Sequence, residues 1–169
     1  MKLMKTIAFG VGFAALSVAV PSLAASTPAN KITITVPVVL KHADVVFNMD
    51  HLAFAGKMPT GMLYMHLLSQ RMKQNHVPGH IVGVFHSLAA YMLLNNKSYD
   101  AFKHVTTGNP YSATIANLQK QGVDIEECAY SMGVHHWGND NLLPGVQVTT
   151  GAVGRIVELT QQGYVQIQP

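Results

Sequence analysis

Charge is scarce in this chain: only 11% of its 169 residues are Asp, Glu, Lys or Arg, against roughly a quarter in ordinary soluble domains. So thinly charged a surface needs another way to stay in solution. Burial between subunits supplies one, because exposed apolar surface on a stable protein marks an interface and closed homo-oligomers use it. Cysteine is scarcer still. Cys128 is the only one, which excludes an internal disulfide and flags the thiol as an odd, reactive group. Basic clustering is absent too: from Lys31 to Arg155 the cationic residues are scattered rather than gathered into a stripe, and nucleic acid is discarded as a partner. No repeat, Rossmann glycine fingerprint, Walker motif, nucleophile elbow or Ser-His-Asp order occurs, so nothing points to nucleotide or serine-hydrolase chemistry.

What is present begins with an export signal. Lys2 and Lys5 precede an apolar run from Thr6 to Val20, Pro21 breaks it, and Ser22-Leu23-Ala24 sets small residues three and one positions before a cut after Ala24. This is the pattern of a secretory leader. The run is shorter than the ~20 apolar residues a membrane anchor needs, so residues 1–24 are expected to be a signal peptide, the mature protein periplasmic, and no membrane contact to remain. The mature 145 residues fit one domain and are nearly neutral, with nine Lys and Arg against eight Asp and Glu.

Residues 25–40 read as a flexible or extended arm, with Ile32 to Val36 alternating like an edge strand before Pro37. A domain over residues 41–169 follows. Asp44 to Met49 and Ile81 to Phe85 are short apolar runs typical of strands buried on both faces. Between them Pro59-Thr60-Gly61 opens a helix over Met62 to Asn75, whose Met65, Leu68 and Met72 form one apolar stripe. His86 leads into a short helix over Ser87 to Leu94, and Asn95 to Gly108 reads as loop. Asn109-Pro110 is a helix start, Ile115 and Leu118 carry that helix's apolar face, and Gly122 supplies a left-handed stop. Val123 to Cys128 is a third strand, Val146 to Val148 a fourth, and Val153 to Leu159 a last helix before the closing strand Tyr164 to Ile167. Strands alternating with helices predict an α/β fold with a mainly parallel sheet covered on both faces.

Ligands of open α/β sheets bind beyond the carboxyl ends of strands, and Cys128 stands at such an end with a short helix predicted from Tyr130 onward. A helix amino terminus stabilises a thiolate, whereas Asp124, Glu126 and Glu127 oppose one if close. The competing reading is an inert core cysteine, since cysteine is among the most buried residue types. Met132 follows Cys128 by four residues and His135 and His136 by seven and eight. One helix face would then gather thiolate, thioether and imidazole, a set suited to copper(I). Either histidine could instead partner the thiolate. His51 and His86 also sit where strands deliver pocket residues. The seven methionines from Met49 to Met132 have the helical spacing of core or interface packing rather than of a copper sponge.

Taken in order, Asp44-Val45-Val46-Phe47-Asn48-Met49-Asp50, the strand end Val84-Phe85-His86, the step Leu118-Gln119-Lys120-Gln121-Gly122-Val123, Glu127-Cys128-Ala129-Tyr130-Ser131-Met132, Leu142-Leu143-Pro144-Gly145-Val146 and Gln162-Gly163-Tyr164-Val165-Gln166-Ile167 resemble the DsrE/DsrF-like family of small sulfur-handling proteins, particularly its exported single-domain members. The resemblance spans residues 42–169. It implies a three-layer α/β/α sandwich around a mainly parallel five-stranded sheet, a trimeric or hexameric homo-oligomer, no bound cofactor, and sulfane sulfur carried as a persulfide on Cys128. The partners it implies are a small sulfur donor and an acceptor thiol. Where small residues, often Gly-Pro, follow the second strand in this family, the present chain has Ser87-Leu88. Two other functions stay open: a periplasmic copper module on Cys128, Met132 and His135 or His136, and a non-catalytic oligomeric interaction domain.

Overall fold

A computed structural model describes residues 31–169. The expected signal peptide and the start of the arm lie outside the described residues. Residues 31–37 of the arm form no helix or strand, so the alternation of Ile32, Ile34 and Val36 enters no sheet. Alternation alone makes no ladder without a partner strand, and Pro37 withholds a donor at its end.

From residue 38 onward the chain alternates strand and helix. Its elements are β1 (Val45–Met49), a two-stranded ribbon of β2 (Phe54–Ala55) and β3 (Met58–Pro59), α1 (Thr60–Gln74), β4 (Ile81–Phe85), a 3₁₀ turn Ser87–Leu93, α2 (Asn96–Lys103), α3 (Ser112–Lys120), β5 (Val123–Cys128), α4 (Ala129–Val134), β6 (Gln147–Thr149), α5 (Ala152–Gln161) and β7 (Val165–Ile167). The five principal strands form one sheet in the order β6-β5-β4-β1-β7, and every pairing is parallel.

Parallel strands bury both faces, which is why β4 reads as an unbroken apolar run and β1 as one interrupted only by Asn48. Successive side chains point to opposite faces. Val45, Phe47 and Met49 of β1, Ile81 and Phe85 of β4, and Val123 and Ile125 of β5 join Met62, Met65, Ile115 and Leu118 in the larger core, beneath α1 and α3. Val46, Val82, Val84 and Cys128 face Ala152, Ile156 and Leu159 of α5 in a smaller core on the other side. Phe47 and Phe85 are almost completely buried, and such a side chain contributes about 2–3 kcal/mol through its burial. Gly83, mid-strand, lets α1 approach, since a Cβ there would lie 2.8 Å from Met65 Sδ.

Two local expectations are corrected. The stretch expected as loop from Asn95 contains α2, whose amino end is capped by Asn95 Oδ1 accepting the Ser98 N–H at 2.9 Å. α3 begins at Ser112, two residues later than expected, while the Asn109 side chain does cap a free amide at its entry. The Asn109 amide donates to the carbonyls of Met92 and Leu94 and its Oδ1 accepts the Tyr111 N–H, so it ties the 3₁₀ turn to the start of α3.

Because all five strands run the same way, one edge of the sheet collects every carboxyl end. Asp50 follows β1, His86 follows β4, Cys128 ends β5, Thr150-Gly151 follow β6 and Gln168 follows β7. No helix among the described residues is long and apolar enough to cross a membrane.

Candidate functional site

A cleft of about 670 Å³ opens at this edge, lined by Cys128 with His86, Ser87 and Leu88 from the turn after β4, Tyr130, Ser131 and Val134 of α4 with His135 after it, and Thr150 to Gly154 around the start of α5. Cys128 is only 4% exposed, yet its sulfur meets the cleft between two helix starts. Cys128 is itself the residue that precedes α4. The N–H of Ala152, the first residue of α5, donates to Cys128 Sγ at 3.3 Å. Burial pushes the thiol up. The opposing donors outweigh it: the Ser131 N–H, the Ala152 N–H, the Ser131 hydroxyl and the Tyr130 N–H together hold the thiol below its ordinary value. Helix-start amides and a hydroxyl aimed at one sulfur are the environment that favours a thiolate.

Ser131 has a second duty. Its Oγ accepts the Ser87 N–H at 3.0 Å, which leaves the hydroxyl proton for Cys128. Ser87 in turn adopts a left-handed conformation, φ 54°. That conformation costs an L-residue roughly 1–2 kcal/mol.

The carboxylates expected to oppose the thiolate are disarmed. Glu126, buried on the α5 side, receives the Arg155 guanidinium through Nε at 2.9 Å and a terminal nitrogen at 2.8 Å, and Arg155 is further tied to Glu158. Asp124 lies at the far end of β5, paired with His80. Glu127 is fully buried. Its Oε1 accepts the Cys128 N–H at 2.9 Å and its Oε2 has no partner. Burial, only partly countered by that hydrogen bond, pushes its carboxyl up to about 9. It is neutral beside the cysteine at ordinary pH.

The histidines and the methionine divide. His86 lines the cleft, and its Nε2 lies 2.7 Å from Asn48 Oδ1. His135 also lines it, with its ring stacked on Trp137 at 4.4 Å. His51 is paired with Asp50 at 2.5 Å and lies outside the cleft lining, as does His136. Met132 is buried in the larger core with Phe47 and Phe85, whereas Cys128 packs in the smaller one. The proposed soft-ligand face therefore does not form as drawn: Cys128 precedes α4 instead of belonging to it, so the four-residue spacing aligns nothing. Among the described residues no group of three His, Cys, Asp or Glu side chains is arranged to hold a metal ion. Ser87-Leu88, which stand out in the sequence as a departure after the second strand, line the cleft, whereas Ala152 and Ser131 carry no such signal. Ala152 is brought in by the parallel neighbour β6 and carries no local signal, while the small residues Thr150-Gly151 before an apolar helix are the only hint of it.

A parallel sheet whose carboxyl edge carries a buried cysteine ringed by N–H donors defines a small α/β thiol protein. The chain belongs to the DsrE/DsrF-like family, whose model matches residues 41–169, and that family is associated with sulfur relay. It is similar to the solved structure of a protein of unknown function, MTH1491, from Methanobacterium thermoautotrophicum (24% identity, 75% of this chain and 99% of that one, TM-score 0.58). It is also similar to the ychN protein from E. coli (12% identity, 75% and 99%, TM-score 0.52). At these identities the likeness is one of fold. No curated protein matches the chain.

Proposed function

We propose that this protein is an exported sulfur carrier or sulfurtransferase that holds sulfane sulfur as a persulfide on Cys128. The observation that carries this reading is the Cys128 sulfur at an apolar cleft, where it accepts the Ala152 N–H at 3.3 Å from the start of α5 and stands at the amino end of α4. The Cys128 thiolate attacks the outer sulfur of a persulfide or polysulfide. The donor's S–S bond breaks, its electron pair leaves as the donor thiolate, and the outer sulfur stays on Cys128. An acceptor thiolate then attacks that sulfur and Cys128 departs as a thiolate, stabilised by the same donors. No redox partner is needed, because each step exchanges one S–S bond for another.

Export to the periplasm is proposed from the leader-like residues 1–24. A homo-oligomer, trimeric or hexameric as the family resemblance implies, is also proposed; the low charge and the exposed Leu88, Tyr130, Val134 and Val153 around the cleft mouth support an interface there.

The test is intact mass of the reduced protein after exposure to polysulfide and, separately, to copper(I), beside Cys128→Ser and Met132→Ala. Added sulfur that disappears only in Cys128→Ser supports the carrier. Stoichiometric copper lost in both variants, without a sulfur adduct, establishes the copper module in its place. Neither adduct, with Cys128 closed to alkylation, leaves the interaction domain.

A further inference from the structure

The hydrogen bonds at the carboxyl edge of the sheet run in one direction. Asp50 begins the chain. Burial raises its carboxyl, but hydrogen bonds from His51 and Gln168 outweigh this and hold it below the usual range, so it is an ionised group that only accepts. It therefore receives Gln168 Nε2–H, at 2.7 Å, and that turns Gln168 Oε1 toward Asn48. Asn48 Nδ2 donates to this oxygen at 3.0 Å, which turns Asn48 Oδ1 toward His86. His86 Nε2 lies 2.7 Å from that oxygen. A carbonyl oxygen only accepts, so Nε2 must carry the ring proton.

From this geometry we infer that Asp50, Gln168 and Asn48 hold His86 as its Nε2–H tautomer, and that its bare Nδ1 is the base that takes the proton from the thiol accepting sulfur from Cys128. The assignment rests on the sulfur reading of the cleft and gives it a second working residue. Gln168, three residues beyond the start of the last strand, becomes a positioning residue for a ring on the far side of β1. Burial lowers His86 below its ordinary value against the pull of Asp50, which favours the uncharged ring. Asp50 is the charged group that acts on it, and Cys128, Tyr130 and His135 are the other ionisable side chains of the same cleft.

The step balances. The acceptor R–SH gives its proton to His86 Nδ1, and R–S⁻ attacks the outer sulfur of Cys128–S–SH. The S–S bond breaks with its electron pair on Cys128 Sγ, giving R–S–SH and a Cys128 thiolate beside a His86 imidazolium. Proton return from His86 to Cys128 or to solvent resets the site.

Two measurements on the full mature protein test this. Ring ¹⁵N shifts report which nitrogen carries the proton: the wild type is expected to show protonated Nε2 and bare Nδ1, and Gln168→Leu to show a mixture of tautomers. Sulfur discharge from persulfidated protein supplies the second. His86→Gln keeps a donor for Asn48 but has no base, so discharge to an alkyl thiol is expected to fall at least tenfold, general bases contributing on the order of 10²–10⁴. Loading from polysulfide should persist, as should discharge to an aryl thiol that is already ionised. Gln168→Leu, in the carboxyl-terminal tail, should fall in the same assay with its tautomer shift. A protonated Nδ1 in the wild type overturns the chain, and undiminished alkyl-thiol discharge in His86→Gln overturns the base. A wild type that never takes up sulfur refutes the base together with the parent reading, while the ring shifts still decide the tautomer.

Discussion

Replacing Glu127 by Gln should change how stability depends on pH. The side chain is fully buried, its Oε2 is unpartnered, and its carboxyl stands at about 9 against an ordinary 4.5. A raised acid keeps its proton in the folded protein over a range where the unfolded chain has lost it. The folded state then binds more protons, and stability falls as pH rises from the unfolded value toward the folded one. Each pH unit in that window costs about 1.4 kcal/mol, so between pH 5 and pH 8 this one group removes about 4 kcal/mol. Gln cannot ionise, keeps an oxygen for the Cys128 N–H and has nearly the same shape. Urea unfolding midpoints measured across that range should show Glu127→Gln gaining on the wild type by about 4 kcal/mol from the acid to the alkaline end. Parallel pH profiles for the two proteins would mean that Glu127 is ionised when folded, and a charged carboxylate beside Cys128 would then oppose the thiolate on which the site depends.

Three further outcomes are expected. Ser131→Ala removes a hydroxyl from Cys128 and strands the Ser87 N–H, so iodoacetamide should label Cys128 several-fold more slowly at neutral pH, in keeping with about 1 kcal/mol for a lost hydrogen bond. Arg155→Leu leaves Glu126 buried and unpaired and should cost about 3–5 kcal/mol in chemical denaturation, most of it recovered by adding Glu126→Leu. Ser87→Gly relieves the left-handed backbone at φ 54° and should raise stability by about 0.5–1 kcal/mol, seen as a higher Tm.

The core of the fold was legible because its signals are local. Val45–Met49 and Ile81–Phe85 carry apolar runs that suit only strands covered on both faces, and Gly122 turns at φ 84° where a helix had to stop. Cys128 was legible as a strand-end residue for the same reason. What stayed hidden depends on partners distant in sequence. The α2 segment is polar and reads as loop, since its order comes from the Asn95 cap and the burial of Tyr99. Ile32 to Val36 carried the right period without a strand to pair with. The Cys128-Met132 spacing misled because the helix begins one residue after the cysteine, which sends Met132 to the opposite core. Ala152, 24 residues away, reaches the sulfur only through the pairing of β5 with β6. The chain from Asp50 through Gln168 and Asn48 to His86 spans the two ends of the domain and exists only once β7 lies beside β1.

The most direct test of the central claim is to follow one sulfur atom through the protein. Mature protein loaded with polysulfide and freed of excess reagent is mixed with a thiol acceptor, and the intact masses of both are recorded over time. The account predicts that the protein loses one sulfur as the acceptor gains one, that Cys128 returns to a free thiol able to load again, and that Cys128→Ser does neither. Sulfur that never loads on the wild type, or that loads equally on Cys128→Ser, would contradict it.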